Sequence, residues 1–140
     1  MLILSRFPIV EHAFQQFSKG IFDDGEVQRG TLYAKVEVTP GKFAQVFTLH
    51  TQCTNFSYPA ECIELSRKIR DTSITELADF IASKVESSEK KNEQSSVILA
   101  GDFNITRYPT NEHYLAKVFG ISPNCIGYLP LIEGEYDDMI

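Results

Sequence analysis

The sequence predicts a mixed α/β domain with locally antiparallel strands. Three observations predict it. Residues Gly30 to Val38 alternate strictly between apolar and polar, and a Pro40-Gly41 turn pair follows. From Pro59 onwards, apolar residues recur at three- and four-residue spacing. Val97-Ile98-Leu99-Ala100 is a short, wholly apolar run. The coarse order is strand, loop, hairpin, long helix, strand, helix. The chain has 140 residues, within the ~100–200 typical of one domain, so a single domain over 1–140 is expected.

Each element has its own reason. In the first strand of the hairpin, Leu32, Ala34, Val36 and Val38 take one face, and Thr31, Tyr33, Lys35 and Glu37 the other. That is the pattern of a half-buried strand, with the Leu32 face inward. Pro40 fixes φ and Gly41 accepts positive φ, as a type II turn requires. Phe43 to Leu49 returns as the second strand, apolar on both faces. Pro59 suits a helix entrance. Cys62, Leu65, Ile69, Ile74, Leu77, Ile81 and Val85 then mark the inward stripe. Ser73 with Glu76 has the form of a capping box, which would start a second helix; one continuous helix is preferred. The polar stretch from Glu86 to Ser96 lacks periodicity and reads as a solvated loop. Val97 to Ala100 reads as a buried central strand. Thr110 to Phe119 reads as a short helix with Leu115, Val118 and Phe119 inward.

Composition excludes several classes. Apolar residues are 43% and charged residues 23%, which is ordinary globular usage. No apolar run approaches the ~20 residues of a membrane helix. Arg6 interrupts the apolar Met1–Leu4 start too early for a signal peptide, so the compartment stays open between cytoplasm and exterior. Net charge is −6, and four of the acids, Glu133, Glu135, Asp137 and Asp138, lie in the last eight residues. There is no basic field to collect nucleic-acid phosphates. Cys53, Cys62 and Cys125 are too few for a disulfide framework and are not at zinc spacing. The odd count leans towards a reducing compartment, whereas a Cys53–Cys62 bridge would suit a secreted chain.

The residues with chemistry stand at strand ends. Asp102 and Asn104 follow the Val97–Ala100 run directly, in Gly101-Asp102-Phe103-Asn104. An open sheet presents polar groups to ligands at such ends. Two residues apart on extended backbone, the two side chains share a face. The carboxylate can hold a cation or take a proton from water, and the amide can donate to a phosphate oxygen without repelling it. The same pattern also suits an Asx turn closing the strand. His50 ends the second hairpin strand, in Leu49-His50-Thr51-Gln52. A lone strand-end histidine is commonly structural, but two polar strand ends in one sheet, each after an apolar run, shift the expectation towards a shared site.

Ser5-Arg6-Phe7-Pro8-Ile9, Leu49-His50-Thr51-Gln52 and Gly101-Asp102-Phe103-Asn104, in this order, resemble the endonuclease/exonuclease/phosphatase superfamily of deoxyribonuclease I-like fold. Phe17 to Phe22, then Arg29 to Lys35, and Arg70 ahead of Glu76 to Ile81, are similar to its neutral sphingomyelinase branch. The resemblance covers roughly residues 2 to 120. It implies a four-layered α/β/β/α sandwich and a Mg²⁺-dependent phosphodiesterase acting on a phospholipid, sphingomyelin first, at a membrane surface. It implies that Asp102 orients and activates the attacking water. Asn104 would bind the phosphate beside the metal and serve as a metal ligand. His50 would bind the phosphate and stabilise charge building on the phosphoryl group. Such hydrolysis needs positioning and charge neutralisation more than covalent chemistry.

The departures are specific. The family's metal-binding glutamate lies on a strand before the Ser-Arg-Phe-Pro-Ile motif, and only four residues precede Ser5 here. The family's late Asp-His pair has no counterpart, and Ser73 stands where a glutamine is usual. The expectation is therefore the middle of such a domain, an incomplete sandwich whose activity on its own is in doubt. The alternatives are a nuclease or phosphatase of the same fold, or a non-catalytic segment. His12 and His113 read as surface residues; Lys19 and Arg29 are cations that could contact phosphate, with solvation in their loop the preferred reading. Phe56 and Tyr58, in the loop after His50, suit either contact with lipid or substrate or packing under their loop. Asn55 and Asn104 both match the glycosylation sequon, and neither is read as modified.

Overall fold

Alternation and turn chemistry in the first half of the chain build three antiparallel strands, and a fourth, parallel strand follows one long helix that covers the sheet. The computed structural model describes residues 1–54 and 59–105, apart from the side chain of Asp23. Strands β1 (Ile9–Gln16), β2 (Gly30–Thr39), β3 (Lys42–His50) and β4 (Gln94–Asp102) lie in the order β1-β2-β3-β4. The first three pair antiparallel, and β4 pairs parallel with β3. Parallel neighbours need a crossover, and helix α1 (Ala60–Lys90) supplies it. Gly41 sits at φ 76°, the value that the turn position demands.

The helix packs on the face of β2 and β3 that carries Tyr33, Phe47 and Leu49. These three, with Ile74 and Leu77 of α1, are 0–1% exposed. Phe80 closes edge-on against Phe47 and Tyr33, with ring centroids 5.9 and 6.1 Å apart. Tyr33 and Phe47 themselves stand 4.9 Å apart. Each such apolar side chain contributes about 1.5–3 kcal/mol on burial.

The expected half-buried β2 is corrected. Its Thr31, Tyr33 and Lys35 face is the one under the helix, while Ala34 and Val36 are also buried and Val38 is 41% exposed. Polar residues can take that face because each finds a partner there. The Thr31 hydroxyl donates to the Thr48 carbonyl, and the Tyr33 hydroxyl lies 3.4 Å from Gln45 Oε1. Lys35 Nζ donates to Ser88 Oγ and pairs with Glu93.

The helix also differs in detail. It is one helix through Ser73, whose hydroxyl bonds back to the Ile69 carbonyl rather than capping a new start. It runs on to Lys90, so the expected solvated loop from Glu86 is its last turn and only Lys91 to Glu93 join it to β4. Leu65 faces out at 46% exposure, and Ser66 takes the buried position beside it. Ser66 satisfies its hydroxyl on the Cys62 carbonyl, so a small polar residue suits close contact with the sheet. Strand β4 is not the buried central strand expected. It lies at the edge of the described sheet, with Val97 and Ile98 at 44% and 50% exposure.

One sheet and one helix make two of the four layers of the expected sandwich. Cys53 and Cys62 are both free thiols, so the expected bridge of the secreted alternative is not formed. The Thr110–Phe119 helix, His113, Phe56, Tyr58, Cys125 and the acidic tail lie outside the described residues.

Candidate functional site

Strands β3 and β4 run parallel and end level with each other, which brings their terminal polar residues to one edge of the sheet. His50 is the register partner of Asp102. His50 Nε2 stands 3.6 Å from Asp102 Oδ2, with side chains 44% and 62% exposed. That separation is beyond a hydrogen bond, and the pair is open to water. The approach depends on Gly101, where φ is 151° and a Cβ would lie 2.3 Å from the Leu49 carbonyl oxygen.

Asn104 joins this edge by a turn, not by strand alternation. The strand ends at Asp102, and Asn104 adopts φ 49°, a left-handed conformation that asparagine tolerates. Its backbone N–H donates to Asp102 Oδ1 at 2.8 Å. The Asx turn is thus present, and it is the device that brings the carboxylate and the amide together. The expected shared face on extended backbone is corrected to that extent. Asn104 Nδ2 donates to the Thr51 carbonyl at 2.9 Å.

Thr51 ties the two strand ends. Its N–H donates to the Asp102 carbonyl at 3.0 Å, and its hydroxyl to the Phe103 carbonyl at 2.6 Å. Its own carbonyl accepts from Asn104 Nδ2 and from Arg29 Nη1, each at 2.9 Å. Arg29 is not the solvated cation expected: it forms an ion pair with Asp24, and the two side chains are 15% and 11% exposed. Asp24 Oδ2 also accepts the Cys53 N–H at 2.7 Å.

Sequence reasoning missed Thr51, Gly101, Arg29 and Asp24 as parts of this arrangement. Thr51 and Gly101 lie within Leu49-His50-Thr51-Gln52 and Gly101-Asp102-Phe103-Asn104, flanking the residues with obvious chemistry. Nothing local marks Arg29 and Asp24, because their contacts to Thr51 and Cys53 span more than twenty residues. His12 lies exposed on β1, paired in register with Ala34, away from these strand ends.

Chemically the edge offers an imidazole, a carboxylate and a primary amide within one small, solvent-facing patch. The donors fit a hard cation in kind, since Asp102 and Asn104 both present oxygen. Among the described residues, no group of three His, Cys, Asp or Glu side chains converges to hold a metal. No helix among the described residues is long and apolar enough to cross a membrane.

No protein-family profile matches the chain. Phospholipase C of Staphylococcus aureus is 32% identical over 108 residues, covering 75% of this chain and 29% of that protein. A sphingomyelinase of Dictyostelium discoideum is 26% identical over 125 residues, covering 75% of this chain and 26% of its own length. Among solved structures, beta toxin from Staphylococcus aureus superposes with a TM-score of 0.64 at 28% identity, over 82% of this chain and 37% of that one. The chain thus spans between 26% and 37% of the length of these proteins. Over that span it is a partial match to the bacterial sphingomyelinase C and beta-toxin domain, a deoxyribonuclease I-like fold.

Proposed function

We propose that the His50, Asp102 and Asn104 edge is part of the active site of a phosphodiesterase that hydrolyses sphingomyelin to ceramide and phosphocholine. The observation that carries this reading is the register pairing of His50 with Asp102, with Asn104 turned onto the same edge. The partial likeness to a phospholipase C and to a sphingomyelinase supports a choline-phospholipid substrate, met at a membrane surface. A net charge of −6 disfavours a nucleic-acid substrate for the same fold.

Each residue has a part that its surroundings suit. Asp102 Oδ1 is engaged by the Asn104 N–H. Oδ2, turned to the open side near His50, accepts a proton from water and orients it toward phosphorus. One N–H of the Asn104 amide is committed to Thr51. The other N–H donates to a phosphate oxygen, and the amide oxygen is a neutral donor for a cation. His50, when protonated, stabilises negative charge building on the phosphoryl oxygens. Mg²⁺ is the cation that the oxygen donors suit; it keeps several waters and takes one or two carboxylates together with substrate phosphate. When bound it neutralises phosphate charge, and Asp102 and Asn104 are the described residues that would hold it.

The test is Mg²⁺-dependent release of phosphocholine from sphingomyelin vesicles by the full-length protein. Asp102→Asn and His50→Ala are each expected to lower the rate by about 10²–10⁴ while leaving the thermal transition in place. Near-wild-type release by either variant, or no release by the unaltered full-length protein, contradicts the reading.

A further inference from the structure

Arg29 lies on the segment leading into β2 and is remote in sequence from both strand ends, yet it reaches the bond that joins them. Its Nη1 donates to the Thr51 carbonyl at 2.9 Å, the same oxygen that takes Asn104 Nδ2. Its Nη2 is held by Asp24. The other oxygen of Asp24 takes the Cys53 N–H at 2.7 Å, two residues beyond Thr51. Arginine and aspartate together therefore grip the chain at Thr51 and Cys53. The 3-10 turn Phe22–Gly25 that carries Asp24 is anchored to the same stretch, because the Ile21 N–H donates to Gln52 Oε1 at 3.0 Å.

The planar guanidinium is what makes this possible. Its fixed fork serves Asp24 on one nitrogen and a carbonyl on another. The ion pair is largely shielded from water, so its geometry is held more firmly than that of a surface pair.

We propose that Arg29, oriented by Asp24, is a positioning residue for the strand-end site. It fixes the Thr51 carbonyl on which the Asn104 amide is seated, and so sets where Asn104 and Asp102 stand relative to His50. The meaning of that position for hydrolysis rests on the phosphodiesterase reading above; the positioning itself does not.

Nuclear magnetic resonance of the full chain separates the two. Arg29→Lys keeps the charge opposite Asp24, but one ammonium lacks the fork that serves both partners. The variant is expected to retain a cooperative thermal transition. Its Asn104 side-chain amide protons should exchange about tenfold faster, the factor given by loss of one ordinary hydrogen bond. The Asn104 side-chain amide and His50 ring signals should move with it. Lys84→Met removes the ion pair to Glu11, whose register partner Lys35 lies opposite Gln45 in the middle of β3, and is expected to lower stability without moving those signals. A folded Arg29→Lys chain whose Asn104 and His50 signals and exchange match the unaltered chain overturns the proposal. The unaltered chain gives an independent reading that needs no variant. Couplings across the hydrogen bonds from Arg29 Nη1 and Asn104 Nδ2 to the Thr51 carbonyl carbon support the assignment, and absence of both overturns it. None of these readouts involves turnover, so failure of the phosphodiesterase reading leaves the positioning result to stand or fall on its own.

Discussion

At Gly101 the backbone holds φ at 151°, and a Cβ would meet the Leu49 carbonyl oxygen at 2.3 Å and its nitrogen at 2.7 Å. Both are backbone atoms of β3 and cannot swing aside. Gly101→Ala is therefore expected to destabilise the chain by about 1–3 kcal/mol, the cost of forcing a side chain into such a conformation. It is also expected to push Asp102 away from His50. Urea unfolding gives the first quantity, and chemical shifts of His50 and Asp102 report the second. An alanine variant with unchanged midpoint and unchanged shifts would show that the strands are not packed as described. At this scale the sequence was legible for the residues with chemistry: His50, Asp102 and Asn104 do share one edge. It was not legible for the residues that hold them. A glycine that admits a neighbouring strand and a threonine that ties two strand ends carry no distinctive chemistry of their own.

The elements show the same division for a different reason. The hairpin and the long helix follow from period and turn residues, and both are present. The inward face of β2 does not follow from period alone. Alternation says that two faces differ, not which one meets the helix. Tyr33, Thr31 and Lys35 went inside because Gln45, the Thr48 carbonyl, Ser88 and Glu93 satisfy them, and those partners are distant in sequence. The end of the helix was likewise hidden, since Glu86, Ser87, Ser88 and Lys90 form no apolar stripe. Ser88 is buried, and its hydroxyl takes a hydrogen bond from Lys35. Leu77 lies where helix and sheet meet, with no exposed surface. Leu77→Ala is expected to cost about 2–5 kcal/mol, the range for an emptied core site, read as a lowered urea midpoint. A loss well under 1 kcal/mol would mean that the helix does not pack on this face.

Across the whole molecule, ion pairs link the helix and its exit to the sheet, and they make stability depend on pH. Glu11 is held below the ordinary glutamate range, first by its hydrogen bond from Lys84. Glu93 is lowered likewise, first by its hydrogen bond from Lys35. For both, the folded value lies under the unfolded one. Their contribution is present above the unfolded glutamate value and is lost as pH falls through the lowered folded values. Tyr33 is shifted the other way. Burial, and then the charges of Glu11 and Glu93, push its phenol well above the ordinary tyrosine value. Its contribution is full below that ordinary value and is lost as pH rises through the raised one. Urea midpoints are thus expected to fall on both the acid and the alkaline side. Glu11→Gln should reduce the acid slope, and an unchanged slope would count against the Glu11–Lys84 link.

We propose that the ends of β3 and β4 form one phosphate-binding edge. Titration of the full isotope-labelled chain with phosphocholine and Mg²⁺, followed by nuclear magnetic resonance, tests it most directly. Shifts are expected to concentrate at His50, Thr51, Asp102 and Asn104, with little change at Lys42 and Gln94 at the far ends of the same strands. It also predicts that the shifts weaken together in Asn104→Ala and His50→Ala. Shifts centred elsewhere, or shifts at these residues that persist unchanged in both variants, would contradict it.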